Sequence, residues 1–137
     1  MELDSSFDNK VQLTSVLQIV EPADVNRRMV ADDTFVVNLV TSWCPDCTER
    51  QKLHIDGFAQ KMKSHGVDVL QVNVQQSKGD FISVEHEQIT NQFGGKGYPR
   101  TVLIRHGVAV DQDNVEVITE NTLSELASKF IQIIEGS

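Results

Sequence analysis

Cysteine is scarce in this chain, and so are proline, glycine and aromatic residues. The 137 residues include two Cys, three Pro and eight Gly, and only 6% are Phe, Trp or Tyr. Two cysteines cannot build the disulfide scaffold of a small secreted protein, and so little Gly and Pro excludes a collagen-like or linker-like chain. The hydrophobic share of 39% is sufficient for a core. A chain of this length is expected to fold as one domain.

Basic residues and long apolar runs are also lacking. Twelve Lys and Arg stand against twenty Asp and Glu, so the net charge is −8, which repels phosphate backbones and anionic membranes. No stretch approaches the roughly 18 apolar residues of a membrane span. The first ten residues carry three acids and one Lys, without the basic and apolar segments of a secretory signal. We therefore expect a cytoplasmic protein that binds neither nucleic acid nor membranes.

Hydrophobic periodicity predicts alternating strands and helices. Residues 1–10 lack periodicity and are expected to form a mobile arm, and residues 11–137 form the domain. Strands are predicted at residues 11–20, 35–40, 67–74, 101–104 and within 108–119. Helices are predicted at residues 23–30, from Cys47 to about 64, at 84–93, and from Thr122, where Glu125 completes a capping box. Residues 75–83 are predicted to be a loop. This order indicates an α/β fold with a mixed sheet between helices, ending in an antiparallel hairpin and a helix.

The two cysteines lie together where a buried strand meets a helix, in the segment Cys44-Pro45-Asp46-Cys47. A helix N-terminus favours a thiolate at Cys44, and Pro45 suits a first turn because it has no N–H to lose there. Cys47, one turn on, can reach Cys44 to close a disulfide. The arrangement predicts that Cys44 is the nucleophile and Cys47 the resolving thiol, with Trp43 beside them.

Three other interpretations of the cysteine pair remain open. Zinc needs four ligands, but the four histidines do not have the spacing that completes a Cys2His2 site. A purely structural disulfide needs an oxidising compartment. Two inert buried cysteines are also possible, although a strand-to-helix junction with proline between them is an unusual place for them. A redox-active pair is the preferred interpretation.

Two segments resemble the thioredoxin family. Val36 to Cys47 is similar to its active-site strand, Trp-Cys-x-x-Cys motif and helix, and Gly97-Tyr98-Pro99 before Thr101 is similar to its cis-proline loop and next strand. The resemblance covers about residues 11–135 and implies the thioredoxin fold. It also implies that Pro99 is cis and packs against the cysteines, and that the Tyr98 backbone pairs with an extended substrate.

The resemblance further implies a function: reduction of protein disulfides by a monomer that needs no organic cofactor or metal. Its electrons would come from a separate reductase. Two rival functions remain. Glutaredoxin-like use of glutathione is disfavoured because Gly94-Gly95 precede the proline, whereas glutaredoxins carry their paired glycines after it. The other rival is a binding or redox-sensing module that does not turn over.

The active-site segment departs from the family pattern at several positions. The residues between the cysteines are Pro45 and Asp46 instead of Gly-Pro, and a carboxylate disfavours nearby thiolates while a helix N-terminus favours it. Asn38 replaces the usual buried Asp, and Gln71 aligns with a usual Lys. Because an amide cannot ionise, Cys47 must lose its proton to water, Asp46 or the substrate thiolate. We expect Cys44 alone to dominate the pH–rate profile.

Three departures concern shape and surface charge. Lys52 stands near the family's kink proline, so we expect a straighter helix whose soft spot is Gly57. The chain is longer between the motif and the proline loop, chiefly in residues 75–85, which either shape substrate choice or form a plain solvated loop. Lys96 and Arg100 flank the proline loop and would attract an acidic substrate or steady the Cys44 thiolate, unless they are ordinary surface charges.

Overall fold

Six strands form one mixed sheet with two helices on each face in the computed structural model, which describes residues 16–136. The strands are β1 Leu17–Ile19, β2 Phe35–Thr41, β3 Asp68–Ser77, β4 Asp80–Phe81, β5 Arg100–Arg105 and β6 Val108–Val115. The α-helices are α1 Pro22–Val30, α2 Ile55–Lys63, α3 Val84–Gln92 and α4 Glu120–Glu135. The predicted α/β architecture is confirmed.

Strand β2 is buried along its whole length. Its side chains alternate between two cores: Phe35, Val37 and Leu39 face α1 and α3, whereas Val36 faces α2 and α4. A continuous apolar, β-branched run is typical of a strand covered on both faces. The cysteine motif therefore follows a strand that is buried along its whole length.

The sheet order is β1-β3-β2-β5-β6, with β4 paired to the end of β3. Strands β1 and β2 run parallel to β3, while β5 and β6 are antiparallel neighbours beside β2. The predicted parallel crossovers and C-terminal hairpin are thus confirmed. The register places Asn38 opposite both Gln71 of β3 and Thr101 of β5. Three polar residues therefore cross the sheet in one row.

The helix after the motif is broken, so the prediction of a straighter helix with Gly57 as its soft spot is wrong. A π-helical turn covers Asp46–Arg50, a 3₁₀ turn covers Gln51–Leu53, and α2 begins only at Ile55. A π turn holds more residues than an α turn and so changes which side chains face inward. Gln51 is turned into the interior, where 1% of it is exposed. Gly57 lies inside α2 without interrupting it.

The prediction of a loop at residues 75–83 is wrong, because these residues form mostly a hairpin. Strand β3 continues to Ser77, the chain turns at Lys78-Gly79, and β4 pairs back against β3. The polar composition of this segment is typical of a loop, so the sequence does not reveal the strand extension. The polar residue Gln75 can lie inside the protein because its side chain is hydrogen-bonded. Residues 75–81 are therefore an ordered extension of the sheet.

Two element boundaries differ from prediction. Strand β1 covers only Leu17–Ile19, and the remainder of the predicted strand up to residue 15, like the predicted arm at residues 1–10, lies outside the described residues. Helix α4 begins at Glu120 because Thr119 is its N-cap: the Thr119 hydroxyl accepts from the N–H of Thr122, 3.0 Å away. The predicted capping box of Thr122 with Glu125 is wrong, since Thr122 is the third helical residue of the Thr119 box.

Candidate active site

Cys44 and Cys47 lie side by side after β2, and both are free thiols. The Cys44 carbonyl accepts hydrogen bonds from the N–H groups of Cys47 and Thr48, each 3.0 Å away, which begins the helical turn that brings the sulfurs together. Only 8% of Cys44 and 6% of Cys47 is exposed. The exposed fractions of the two thiols hardly differ, so the thiols must be distinguished by their surroundings.

Burial, with a smaller contribution from the neighbouring Cys44 thiol, raises the pKa of the Cys47 thiol to about 12. The backbone and hydroxyl of Thr41 oppose this rise. Cys47 is therefore protonated at neutral pH, as suits a resolving thiol. When Cys44 is bonded to a substrate sulfur it can no longer carry charge, so part of the effect that raises the pKa of Cys47 is removed at the moment when Cys47 must react.

The proline loop lies directly against the dithiol. The Tyr98–Pro99 peptide bond is cis, in agreement with the expectation from the resemblance. The Tyr98 carbonyl oxygen lies 3.9 Å from Sγ of Cys44. The fold therefore brings together Cys44, Tyr98 and Pro99 from segments more than fifty residues apart.

Gln75 fixes the active-site tryptophan, and sequence reasoning missed it. Its Oε1 accepts from the indole Nε1–H of Trp43 at 2.9 Å and from the N–H of Gly79 at 3.0 Å. Trp43 also packs edge-on against Tyr98, with ring centroids 6.2 Å apart, and Lys78 lies 5.7 Å from its ring centre. Gln75 therefore ties the β3–β4 hairpin to the active site.

A groove of about 440 Å³ opens at Cys44. The hairpin, the proline loop and the motif each contribute to its walls. Its lining residues are Trp43, Cys44, Asp46, Gln75, Lys78, Gly79, Lys96, Gly97, Tyr98 and Glu116. Two lysines are balanced by two acids, and the Asp46 carboxylate forms an ion pair with Arg50. The groove is therefore close to neutral.

The structure separates the two basic residues predicted to flank the proline loop. Lys96 is exposed and lines the groove. Arg100 is buried, with 5% exposed, and its guanidinium donates to the carbonyl oxygens of Gln112 and Lys96, each at 2.9 Å. A buried guanidinium cannot present its charge to an acidic substrate, so that role for Arg100 is wrong. It supports the proline loop from inside.

The glycines before the proline loop allow Arg100 to fit. Gly94 and Gly97 both have φ of +116°, and a Cβ on Gly94 would lie 2.7 Å from Nη1 of Arg100. The guanidinium cannot retreat because two carbonyls hold it. We expect Gly94→Ala to destabilise the protein by about 1–3 kcal/mol, the usual cost of such a strained backbone.

Urea unfolding checks this expectation, with Gly57→Ala as the matched control. Gly57 lies within α2 and a Cβ there would meet nothing within 4 Å, so we expect a gain of about 0.5–1 kcal/mol from the lower unfolded-state entropy. Equal stability of Gly94→Ala and the wild type would contradict the strained, close-packed position assigned to Gly94.

The polar row across the sheet, formed by Asn38, Gln71 and Thr101, joins Gln51 in a neutral polar cluster. The Asn38 Nδ2–H₂ group donates to Oε1 of Gln51 at 2.8 Å and to Oε1 of Gln71 at 3.0 Å, while Asn38 Oδ1 accepts from the Thr101 hydroxyl at 2.9 Å. Gln51 also donates to the Val117 carbonyl at 3.1 Å. Asn38 and Gln71, which the resemblance aligns with the family's buried Asp and its Lys, are thus hydrogen-bonded neighbours. Gln51 and Thr101 were missed, although Thr101 is a polar residue within an otherwise apolar predicted strand and so offered a signal.

Other kinds of site find no support in residues 16–136. This part of the chain has no group of three or more His, Cys, Asp or Glu side chains placed to hold a metal ion. It also has no helix with the length and hydrophobicity to cross a membrane.

Comparison with solved structures identifies the fold. Thioredoxin f2 of Chlamydomonas reinhardtii matches with a TM-score of 0.60 over 88% of this chain and 98% of its own, at 18% identity. The thioredoxin Deadhead of Drosophila melanogaster matches with a TM-score of 0.60 over 82% and 96%, at 20% identity. A thioredoxin f2 solved in complex with ferredoxin:thioredoxin reductase gives 0.62 over 90% and 99%, at 12% identity.

The protein therefore has the thioredoxin fold, and its two cysteines lie close together, which is consistent with a Cys-x-x-Cys motif. No family model matches the sequence, and no curated protein matches it. At these identities the similarity concerns the fold alone, and the site's own geometry must carry the function.

Proposed function

We propose that this protein is a thiol–disulfide oxidoreductase that reduces protein disulfides through Cys44 and Cys47. One observation carries the proposal: Sγ of Cys44 lies at a groove beside the Tyr98 carbonyl, with a protonated Cys47 behind it. A backbone carbonyl next to the attacking sulfur offers an extended substrate segment a hydrogen-bond acceptor. Trp43, Tyr98 and Pro99 then form the substrate-binding surface.

The reaction proceeds by two thiol–disulfide exchanges. The Cys44 thiolate attacks one sulfur of the substrate disulfide, a mixed disulfide forms, and the other substrate sulfur leaves as a thiolate that takes a proton. Cys47 then gives up its proton and attacks Sγ of Cys44, which breaks the mixed disulfide and releases the second substrate thiol. The substrate gains two electrons and two protons, and the protein keeps a Cys44–Cys47 disulfide.

Renewal of the dithiol requires an electron donor, which we propose is a separate reductase. A solved thioredoxin f2 of the same fold forms a complex with ferredoxin:thioredoxin reductase, and a flavin-dependent thioredoxin reductase is the other class of donor. A reducing compartment such as the cytoplasm suits this direction of reaction, and action as a monomer is part of the proposal.

Insulin reduction with different electron donors tests the proposal. We expect repeated turnovers with dithiothreitol, and with NADPH when a thioredoxin reductase is present, but slow turnover with glutathione. Faster turnover with glutathione would favour glutaredoxin-like chemistry. Reaction of one equivalent of disulfide without further turnover would favour a binding or redox-sensing module and contradict the proposed function.

A further inference from the structure

A second cavity, of about 350 Å³, lies next to Cys47 and is distinct from the groove at Cys44. It is formed by β1, the end of β2, the middle of β3, and the broken helix. Its lining residues are Leu17, Ile19, Val40, Thr41, Ser42, Cys47, Thr48, Lys52, Ile55, Asp56, Gln71 and Asn73. This volume has room for several water molecules, since each occupies about 30 Å³ in the liquid.

Two polar atoms at this cavity have unmet hydrogen-bonding capacity. Within residues 16–136, Oγ1 of Thr41 and Oδ1 of Asn73 are buried and form no regular hydrogen bond. Only 1% of Thr41 is exposed. Leaving a buried hydroxyl unsatisfied is costly, whereas a cavity with two such groups is suited to water that bridges them. Thr41 and Asn73 therefore mark this cavity as a polar, hydrated site.

The Thr41 hydroxyl also approaches the Cys47 thiol. A β-bulge between Val40 and Thr41 ends the regular pairing of β2 with β3 next to the motif. From this position the Thr41 backbone and hydroxyl both lower the pKa of Cys47, against the larger effect of burial. Thr41 thus lines the cavity beside the resolving thiol, and no protein group in residues 16–136 satisfies its hydroxyl, so the hydroxyl can bond to the Cys47 sulfur when the proton leaves.

We propose that Thr41 is the residue through which Cys47 loses its proton when it resolves the mixed disulfide, with water in this cavity as the acceptor. The inference rests on the proposed function and adds a residue to it. The Cys47 S–H proton passes to Oγ1 of Thr41 as the hydroxyl proton of Thr41 passes to water. The Cys47 thiolate then attacks Sγ of Cys44, and the departing substrate thiolate takes a proton from solvent.

Few ionisable groups surround this path. Cys44 adjoins Cys47 in the motif, Tyr98 approaches from the proline loop, and Lys52 and Asp56 lie on the broken helix at the cavity. The β1 and β3 residues of the lining are uncharged. Lys52 and Asp56 are exposed, so a proton released into the cavity can reach solvent. Asp46, next to Cys47 in the chain, is paired with Arg50.

Stopped-flow reaction of the full-length protein with one equivalent of dithiobis(nitrobenzoate) tests the inference. The first thionitrobenzoate reports attack by Cys44, and the second reports resolution by Cys47. We expect Thr41→Val to leave the first phase unchanged and to slow the second about tenfold, the scale of one hydrogen bond to a charged group. The pH profile of the second phase should shift to higher pH, because the thiolate loses a donor. Thr41→Ser should restore the wild-type rate.

Thr34→Val is the matched control, since Thr34 precedes the opposite end of β2 and its hydroxyl accepts from the N–H of His106. Both phases should remain at the wild-type rate in this variant. An unchanged second phase in Thr41→Val, or equal slowing in Thr41→Ser, would overturn the role of the hydroxyl. If the wild type releases only the first equivalent, the proposed function fails and this inference fails with it.

Discussion

Replacing Cys47 with serine is expected to turn the protein into a trap for its substrates. Cys44 can still attack a disulfide, but no thiol remains to displace the product, so the mixed disulfide accumulates. Turnover of insulin should fall about a thousandfold or more, as when one member of a catalytic unit is removed. Non-reducing gels of a cell extract mixed with Cys47→Ser should show adducts that dithiothreitol releases.

Cys44→Ser is the matched control for this trap. It retains the buried Cys47, whose pKa of about 12 leaves very little thiolate at neutral pH. We expect equally low turnover but no adducts. Equal adducts from both variants, or adducts from Cys44→Ser alone, would reverse the roles assigned to the two thiols.

Asn38→Asp is expected to destabilise the protein by about 3–5 kcal/mol at neutral pH, because it places an unpaired charge in a buried neutral cluster. Asn38 is fully buried, and its amide group donates to oxygen atoms of both Gln51 and Gln71. A carboxylate would face these two acceptors, so the neighbouring amides must rotate before they can donate to it. Urea unfolding measures the loss.

The loss should depend on pH. Burial raises the pKa of the introduced carboxyl above the value of about 3.9 in the unfolded chain, so the folded state binds its proton more tightly. Stability therefore falls as pH rises through the folded-state pKa, and the variant should be less stable at about pH 8 than at about pH 4. Equal losses at both pH values would contradict the burial of this charge.

Gln71→Lys supplies the matched partner. Residues 38 and 71 are direct cross-strand neighbours whose side chains are 3.0 Å apart. We expect the double variant Asn38→Asp with Gln71→Lys to recover part of the stability that each single variant loses, since the two charges then pair. Additive losses would show that the two positions do not interact.

The single variant Asn38→Asp should also change the pH dependence of activity. Gln71 links the amide cluster to the cavity beside Cys47, so a charge in the cluster should influence the resolving thiol. The wild-type pH–rate profile should show Cys44 alone, and that of Asn38→Asp should show a second inflection.

The sequence was sufficient to predict the centre of the site because the relevant signals are local. A buried strand followed by Cys44-Pro45-Asp46-Cys47 specifies a strand-to-helix junction, and Tyr98-Pro99 before an apolar strand specifies the loop. The resemblance to the thioredoxin family related Asn38 to Gln71, and the two are neighbours in the structure because both lie in regular, paired strands. Regular elements transmit their register over many residues, which makes such long-range neighbours predictable.

The remaining contacts depend on irregular backbone. Gln51 reaches Asn38 only because a π-helical turn precedes it, and no periodicity in the sequence signals that turn. Gln75 lies in a segment whose polar composition predicts a loop, whereas β3 continues through it to Ser77. Arg100 was placed on the surface because it is charged, although Gly94 and Gly97 nearby could have indicated a close-packed side chain. Thr41 was missed because its role depends on a bulge.

Equilibration of the wild type in thiol–disulfide buffers of graded potential tests the central claim most directly. After acid quenching and alkylation, mass spectrometry counts the free thiols of Cys44 and Cys47, while the emission of Trp43, the lone tryptophan, follows the same transition. We predict that both thiols disappear together in one two-electron transition, which forms the intramolecular disulfide. Cysteines that stay alkylatable in the most oxidising buffer, or that form separate adducts with the buffer thiol, would contradict the assignment of a redox-active pair.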